Sequence, residues 1–388
     1  MPSEMESWRI CMTGTKAVVV ACDIVTPYGW GIDSCWNGLL SEKTAIKRFD
    51  RFPTESFLTQ TAAVVPGLTY GQDESLIMGM LKPLLQKNIS SIPEDAFLIL
   101  ATTTGEIDKL ERHVLTGGTD AAGSRPDKLL KKILLLCRLN SPGIVISAAC
   151  ASSSIAVAQA AGMIISNERD CVIVVACDSV SEFVFAGFSS LMALDKDMAK
   201  PFDRDRNGLS LGEASGFLLL MSESRALREN RPVIGEIAGW GLTNDANHMT
   251  GPSRDGSGLA MAIRKALKSA NVSEKNIGCF SAHGTGTIYN DSMEIKALRA
   301  VFGNHKVPVY SIKGGTGHTL GAAGLLEIII AFESLNKKIV PPTVNLCNID
   351  NEASGWVSSE PLTLDGSVTI STNSGFGGVN CAVVLKKW

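Results

Sequence analysis

One of the ten cysteines in this chain stands where a cysteine could act as a nucleophile. Cys150 follows the apolar run 143–147 and two alanines, and it precedes small residues with helical spacing over 151–166. This order predicts that Cys150 lies between a strand and the positive end of a helix, where unpaired N–H groups favour a thiolate. The thiolate is the reactive form of cysteine, and the small neighbours leave room for a substrate carbonyl.

Two of the five histidines lie in glycine-rich segments far along the chain. His283 stands in "SAHGTGT", whereas "SIKGGTGHTLGAAG" contains both Lys313 and His318. A third such segment, "STNSGFGGVN", precedes the last apolar run. Glycine at this density indicates unusual backbone conformations or a close approach of the backbone to a ligand. The two histidines and the lysine are therefore candidate partners of Cys150.

Other kinds of site fit the sequence less well. No phosphate-binding loop or dinucleotide fingerprint is complete. The segment 208–212 matches G-x-S-x-G, but it lacks the strand before and the helix after that a Ser210 nucleophile would require. Cys150, His283 and His318 could in principle bind zinc, yet no local pair such as C-x2-C or H-x3-H accompanies them. We predict no metal.

Composition and charge narrow the class of protein. The net charge of −3 argues against nucleic acid as the main partner. The sequence contains no run of eighteen apolar residues, so it predicts no membrane span. Its first residues lack the basic-then-apolar order of a signal peptide. The cysteines form no C-x-x-C pair, and several lie in apolar runs, as is typical of a reducing compartment. We therefore expect a cytoplasmic protein.

Short apolar runs alternate with helical segments, which predicts the α/β class with a sheet covered on both faces. The runs are at 17–22, 96–101, 143–147, 171–177, 216–221, 233–240, 279–283, 307–312, 368–372 and 381–385. The clearest helices are at 151–166, 258–270, 291–302 and 321–335. We expect the strands at 143–147 and 171–177 to pair in parallel. Five of these runs precede residue 230 and five follow it, which suggests two similar halves. The first half, 1–230, contains the nucleophile, and the second, 231–388, contains both histidines.

Seven segments, taken in order, resemble successive blocks of the β-ketoacyl-acyl carrier protein synthases of the elongating, Cys-His-His type. They are "SAACASSSIAVAQAAGMI", "KPFDRDRNGLSLGEASGFLLL", "DANHMTGPSRDGSG", "SAHGTGTIYNDSMEIKAL", "SIKGGTGHTLGAAGLLE", "PPTVNL" and "NSGFGGVN". The resemblance covers nearly the whole chain. It implies a thiolase-like fold, in which duplicated αβαβα halves form one five-layered body, and usually a homodimer.

The resemblance also implies roles for individual residues. Cys150 matches the nucleophile that accepts the acyl group, and His283 and His318 match the two catalytic histidines. Lys313 matches the lysine of the family's K-x4-H block, and Glu327 matches the acidic partner of that lysine. We expect Lys313 to order the loop of His318 through Glu327.

The glycine-rich segment near the C-terminus matches the family's gate. Phe376 matches the gating phenylalanine, whose N–H forms an oxyanion hole with the N–H of Cys150, and Gly375 and Gly377 flank it. This chain departs from the family at Ser374, where many relatives have an aromatic residue. Val379 and the segment "ATTTGEIDKLE" depart as well. These departures suggest a specialised substrate, such as a polyene or an unusual lipid.

Four further residues are candidates for substrate contacts. Thr285 and Thr287 match threonines that contact the pantetheine arm, although hydroxyls that stabilise a turn are an alternative. Phe188 and Phe202 fall near the expected acyl tunnel, where plain core packing is the alternative. Basic residues that could dock an acidic carrier protein are Lys47, Arg48, Arg51, Lys131 and Lys132.

The implied reaction is a decarboxylative Claisen condensation. An acyl group on Cys150 would react with malonyl-acyl carrier protein to give a 3-ketoacyl thioester, with no cofactor except the phosphopantetheine that the carrier brings. One alternative is a coenzyme A-dependent enzyme of the thiolase type, which would need a second cysteine such as Cys381. Another is a catalytically silent subunit that shapes a tunnel for a related synthase in a heterodimer.

Overall fold

The computed structural model describes residues 14–71, 74–117 and 122–388. Its strands are β1 (Ala17–Thr26), β2 (Gly29–Trp30), β3 (Lys47–Arg48), β4 (Thr61–Ala62), β5 (Phe97–Ala101), β6 (Ile144–Ile146), β7 (Cys171–Asp178), β8 (Ala214–Ser222), β9 (Gly235–Asn244), β10 (Cys279–Ser281), β11 (Val309–Tyr310), β12 (Ile339–Val340), β13 (Leu362–Thr363), β14 (Val368–Gly375) and β15 (Val379–Lys387). Its α-helices are α1 (Ile32–Leu40), α2 (Leu76–Lys87), α3 (Ile107–Leu115), α4 (Pro126–Leu136), α5 (Ser152–Ile165), α6 (Glu182–Ser190), α7 (Glu223–Arg228), α8 (Ser257–Ser269), α9 (Ile288–Phe302), α10 (Lys313–Thr316) and α11 (Ala323–Lys337).

Every apolar run that the sequence marks as a strand lies in one large sheet. The strand order is β11-β10-β14-β15-β9-β1-β8-β7-β5-β6, with β2 paired on β1. The two halves of the sheet meet where β1 pairs with β9 over three residues, Ala17–Val19 opposite Gly235–Ile237. The predicted α/β class and all ten predicted strands are therefore confirmed.

The two halves of this sheet have the same topology. In each half the order is first, fifth, fourth, second and third strand, counted along the chain. The first, fifth and fourth strands pair antiparallel, and the fourth, second and third pair in parallel, in both halves. A division into domains at 230/231 stays a prediction.

One predicted pairing is wrong. We expected the strands on either side of the helix that follows Cys150 to be neighbours, but β5 lies between β6 and β7 and pairs in parallel with both. The helix α5 therefore crosses over one intervening strand. The local pattern could not show this because β5 comes from an earlier part of the chain.

Helices cover the sheet in layers. The core between the two halves contains α5 and α11 together with strand residues from both halves. Residues of α2 and α4 pack on the opposite face of the first half, and residues of α8 and α9 pack on that of the second. The result is five layers, in which α5 and α11 are central and apolar on most sides. None of the helices in the described ranges is long and apolar enough to cross a membrane.

Candidate active site

Cys150 lies in the tight turn between β6 and α5, as the sequence predicts. Ala149 has a left-handed backbone, with φ of 48°, which turns the chain sharply before the cysteine. Ser152 fastens this turn, because its Oγ accepts the N–H of Ala148 at 2.8 Å and donates to the carbonyl of Ala149 at 2.6 Å. Cys150 is thereby held at the beginning of α5 with only 7% of its surface exposed.

The structure brings both predicted histidines to this thiol. Nε2 of His318 is 2.9 Å from Sγ of Cys150. The rings of His283 and His318 are 5.2 Å apart and nearly perpendicular. The sulfur and one nitrogen of each ring all lie within 4.8 Å of one another. Cys150 and two histidines that lie more than a hundred positions further along the chain therefore form one cluster.

Hydrogen bonds fix the protonation of both rings. Nδ1 of His283 faces two donors, Nζ of Lys313 at 3.1 Å and Nδ2 of Asn373 at 3.2 Å. Nδ1 of His318 accepts the N–H of Leu320 at 3.2 Å. Because each Nδ1 accepts, the proton of each neutral ring is on Nε2, on the side of the thiol. Burial first, and then the charge of Lys313, lower the pKa of both histidines well below the usual value, which keeps them neutral.

Lys313 acts on a different histidine from the one that we expected. Its Nζ contacts Oε1 of Glu327, the carbonyl oxygen of His283 at 2.5 Å and Nδ1 of the same residue. The predicted pair with Glu327 is therefore present, but the pair holds His283 and makes no such contact with His318. The ammonium group replaces the hydration that three acceptors lose on burial.

The helix terminus, which the sequence suggests as a stabiliser of the thiolate, does not lower the pKa of Cys150 below its ordinary value. Burial raises the pKa of Cys150 to about 11, and the charge of Lys313 and the N–H of Phe376 offset this only in part. Desolvation outweighs the helix terminus because the thiol is enclosed by protein. Cys150 therefore rests as a thiol, and the donors around it stabilise negative charge only when charge develops there.

The gate residues lie directly over the nucleophile. Phe376 and Cys150 line the same cavity, and the N–H of Phe376 lowers the pKa of the thiol, as a donor that faces the sulfur does. Gly375 packs on the same turn, since a Cβ atom there would be 3.2 Å from the nitrogen of Cys150. The ring of Phe376 stacks on that of Phe188 at 5.7 Å. Gly377, the other predicted gate glycine, is exposed, and its N–H donates to the carbonyl of Met249 at 2.7 Å.

A cavity of about 650 Å³ connects this cluster with the surface. Thr285, Thr287 and Phe188 line it, as expected for substrate contacts. The hydroxyls of the two threonines also bond to each other at 2.9 Å, so the alternative of a turn-stabilising role applies as well. Phe202 does not line the cavity: it is 1% exposed in the core, beneath Gly284. The assignment of Phe202 to substrate binding is therefore wrong, and the alternative of core packing applies.

The cluster is a poor metal site even though its ligand atoms are close together. A metal would take the Nε2 lone pair of each histidine and force the ring proton to Nδ1. At His283, Nδ1 faces only donors, Lys313 and Asn373, and at His318 it faces the N–H of Leu320. Lys313, Asn373 and Leu320 would then each face an N–H group instead of an acceptor.

Three of the five proposed docking residues are exposed, one is partly buried in an ion pair, and one is buried. Lys47 and Arg48 are exposed in β3. Arg51 is buried and binds both carboxylate oxygens of Glu213, at 2.5 and 2.6 Å, so its docking role is wrong. Lys132 pairs with Glu106 at 2.5 Å. Lys131 is exposed on α4.

Two buried carboxylates that the sequence did not single out hold the loop of His283. Oε1 and Oε2 of Glu294 accept the N–H groups of His283 and Gly284 at 2.7 and 2.6 Å. Asp291 accepts the N–H of Thr285 at 3.0 Å. Burial, followed by the charge of Asp291, raises the pKa of Glu294 to about 8. The sequence carried one signal for these two residues: both lie near the start of a helix that directly follows a glycine-rich turn.

The fold and the thiol–dihistidine site together define a condensing enzyme of the ketosynthase class. Two sequence models match the chain: "Beta-ketoacyl synthase, N-terminal domain" over residues 132–226 and "Beta-ketoacyl synthase, C-terminal domain" over residues 234–347. The chain belongs to the β-ketoacyl synthase family, as the sequence segments predict, and is an acyltransferase of that family.

Several relatives match over nearly their whole length. The chain is 30% identical to the 3-oxoacyl-[acyl-carrier-protein] synthase 2 of Vibrio cholerae, over 97% of this chain and 100% of that protein. It is 28% identical to the enzyme of the same name from Coxiella burnetii, over 97% and 99%. A β-ketoacyl synthase from Burkholderia phymatum superposes with a TM-score of 0.87 at 26% identity, over 96% of this chain and all of the other. The predicted thiolase-like fold is confirmed.

Proposed function

We propose that this protein joins an acyl group, held as a thioester on Cys150, to the malonyl group of a malonyl-acyl carrier protein. One observation carries the proposal: a thiol and two Nε2–H donors, from His283 and His318, converge on the same end of a cavity. These are the groups that a decarboxylative Claisen condensation requires, one to hold the acyl group and two to stabilise an enolate.

The first step transfers the acyl group. The thiol of Cys150 attacks the carbonyl carbon of an acyl thioester, a carbon–sulfur bond forms, and the carbonyl electrons move to oxygen. The N–H groups of Cys150 and Phe376 stabilise this oxyanion. When the tetrahedral intermediate collapses, the bond to the carrier sulfur breaks. The carrier leaves as a thiolate and takes up the proton that Cys150 has lost.

The second step forms the new carbon–carbon bond. The malonyl carboxylate leaves as CO2, and its bonding electrons form an enolate whose oxygen accepts Nε2–H bonds from His283 and His318. The enolate carbon attacks the acyl carbonyl on Cys150, and the bond to the cysteine sulfur breaks. The 3-ketoacyl chain remains on the carrier, and a proton from solvent restores the thiol.

The partners follow from this reaction and from the relatives. An acyl carrier protein delivers both thioesters, and its phosphopantetheine is the only prosthetic group that the chemistry needs. A homodimer is the expected assembly, in the cytoplasm. A heterodimer is supported by a solved structure named "The ishigamide ketosynthase/chain length factor", which has a TM-score of 0.86 and 28% identity over 96% of this chain and 99% of the other.

The two alternative functions fit the geometry less well. Cys381, the candidate second cysteine of a thiolase, is fully buried in β15 and packs in the central core. It does not line the cavity that contains Cys150. A silent subunit does not need a nucleophile with histidine donors around it, whereas this chain keeps Cys150 and both histidines in contact distance.

The test is reconstitution with acyl- and malonyl-carrier proteins, followed by measurement of CO2 and of the 3-ketoacyl product by mass spectrometry. We expect both products. The variant C150A should lose condensation but retain decarboxylation, because both histidines remain. The variant C279A, which changes a buried cysteine of β10 outside the cavity, is the matched control. Neither product from folded protein, or full condensation by C150A, would contradict the proposal.

A further inference from the structure

Asn373 is a wholly buried residue of β14 beside the ring of His283. Its Nδ2 is 3.2 Å from Nδ1 of His283 and 2.7 Å from Oε2 of Glu327. A primary amide has two N–H donors on this nitrogen, so Nδ2 serves both acceptors at once. Neither residue type nor spacing had marked this asparagine as part of the site.

Two polar neighbours fix the orientation of this amide. The carboxylate of Glu327 accepts only, so it requires Nδ2 on its side. On the other side, the hydroxyl of Ser154 donates to Oδ1 of Asn373. Gly324 leaves space for this contact, because a Cβ atom there would lie 2.1 Å from Oγ of Ser154 and 2.6 Å from Oδ1 of Asn373. The amide therefore has one favourable orientation.

We propose that Asn373 is a positioning residue that, together with Lys313, keeps His283 in the Nε2–H tautomer. Both groups that face Nδ1 of His283 are donors, so Nδ1 must accept and the proton stays on Nε2, where an enolate oxygen can use it. Ser154 lies in the first turn of α5, and thus the same chain of bonds joins the tautomer of His283 to the helix behind Cys150. The inference rests on the proposed function, which requires that donor.

Two substitutions separate this role from simple packing. N373D keeps the size of the side chain but replaces the donor toward Nδ1 with an acceptor. N373A removes the donor and leaves a void, while Lys313 still donates to Nδ1. If Asn373 only filled space, N373A would be the more harmful change. If it sets the tautomer, N373D is the more harmful. T372V, a near-isosteric change of the neighbouring buried residue, is the control.

The measurements are malonyl-carrier decarboxylation and the ring 15N shifts of labelled histidine, with His283 assigned through its loss in H283A. We expect the wild-type protein and T372V to have the Nε2–H tautomer. In N373D the proton should move to Nδ1, and kcat should fall on the order of 10²-fold, with KM nearly unchanged. In N373A kcat should fall only about three- to tenfold, because one donor to Nδ1 remains.

Several results would overturn the proposal. These are an unchanged tautomer in N373D, a shifted tautomer with an unchanged rate, or a larger loss in N373A than in N373D. If N373D does not fold, N373A decides, because an Nδ1 shift identical to that of the wild type would show that Asn373 donates nothing. If the wild-type protein does not decarboxylate malonyl-carrier protein at all, the proposed function fails, whereas the 15N shifts still test the role of Asn373.

Discussion

Replacing His283 by alanine should slow decarboxylation far more than it slows acyl transfer. The wild-type ring presents Nε2–H to the cavity because Lys313 and Asn373 occupy Nδ1. Loss of one donor to a developing oxyanion typically costs about 10²–10³ in rate, or about 2.7–4 kcal/mol. Acylation of Cys150 relies on the N–H groups of the oxyanion hole, so its rate should stay within about threefold.

The assay measures the two steps separately. Mass spectrometry of samples quenched at successive times measures acyl transfer to the protein. Release of CO2 from malonyl-carrier protein measures decarboxylation. Unfolding temperatures must be compared, since two buried donors lose their acceptor at a cost of about 1–3 kcal/mol. H305A, at an exposed histidine outside the cavity, is the control. A less than tenfold loss of decarboxylation, or an equal loss of both steps, would refute the reasoning.

Other predictions concern the thiol, a buried ion pair and the gate. Because burial raises the pKa of Cys150 to about 11, its alkylation by iodoacetamide should accelerate about tenfold per pH unit from about pH 7 to 9; a plateau near pH 7 would contradict this. R51A leaves Glu213 buried without its cation, so the free energy of unfolding in urea should fall by about 3–5 kcal/mol. The control is K82A, because Lys82 forms an exposed pair with Glu74 and its loss should lower the free energy of unfolding by only about 0–1 kcal/mol. Equal losses in the two variants would contradict the role of the buried pair. G375A should slow acylation on the order of tenfold, because its Cβ would lie 3.2 Å from the nitrogen of Cys150; wild-type acylation kinetics would argue against a close gate.

Local patterns sufficed for the strands and for the helix behind the nucleophile. The apolar runs predicted ten of the eleven strands that the described residues contribute to the main sheet, and small apolar residues after Cys150 predicted α5. Strand order was not predictable in the same way, because the placement of β5 between β6 and β7 depends on contacts between distant segments. The repeated topology of the two halves was likewise visible only in the pairing of strands.

At the site, residue types identified the groups that react but not the groups that position them. Cys150, His283 and His318 were predicted from their glycine-rich or helix-terminal settings. The contact of Lys313 with His283 could not be predicted, because it depends on which ring lies nearer in space. Asn373 begins the segment "NSGFGGVN", but its role was missed because one asparagine does not show which ring it contacts. The thiol pKa was misjudged because the sequence shows the helix terminus but not the extent of burial.

The most direct test of the central claim is a single-turnover chase of acylated protein. The protein is loaded with an acyl group, and the adduct is located on the peptide that contains Cys150 by mass spectrometry. Malonyl-carrier protein is then added. The account predicts that the adduct disappears at the rate at which a 3-ketoacyl chain, two carbons longer, forms on the carrier. An adduct on another residue, or a Cys150 adduct that persists while CO2 is released, would contradict it.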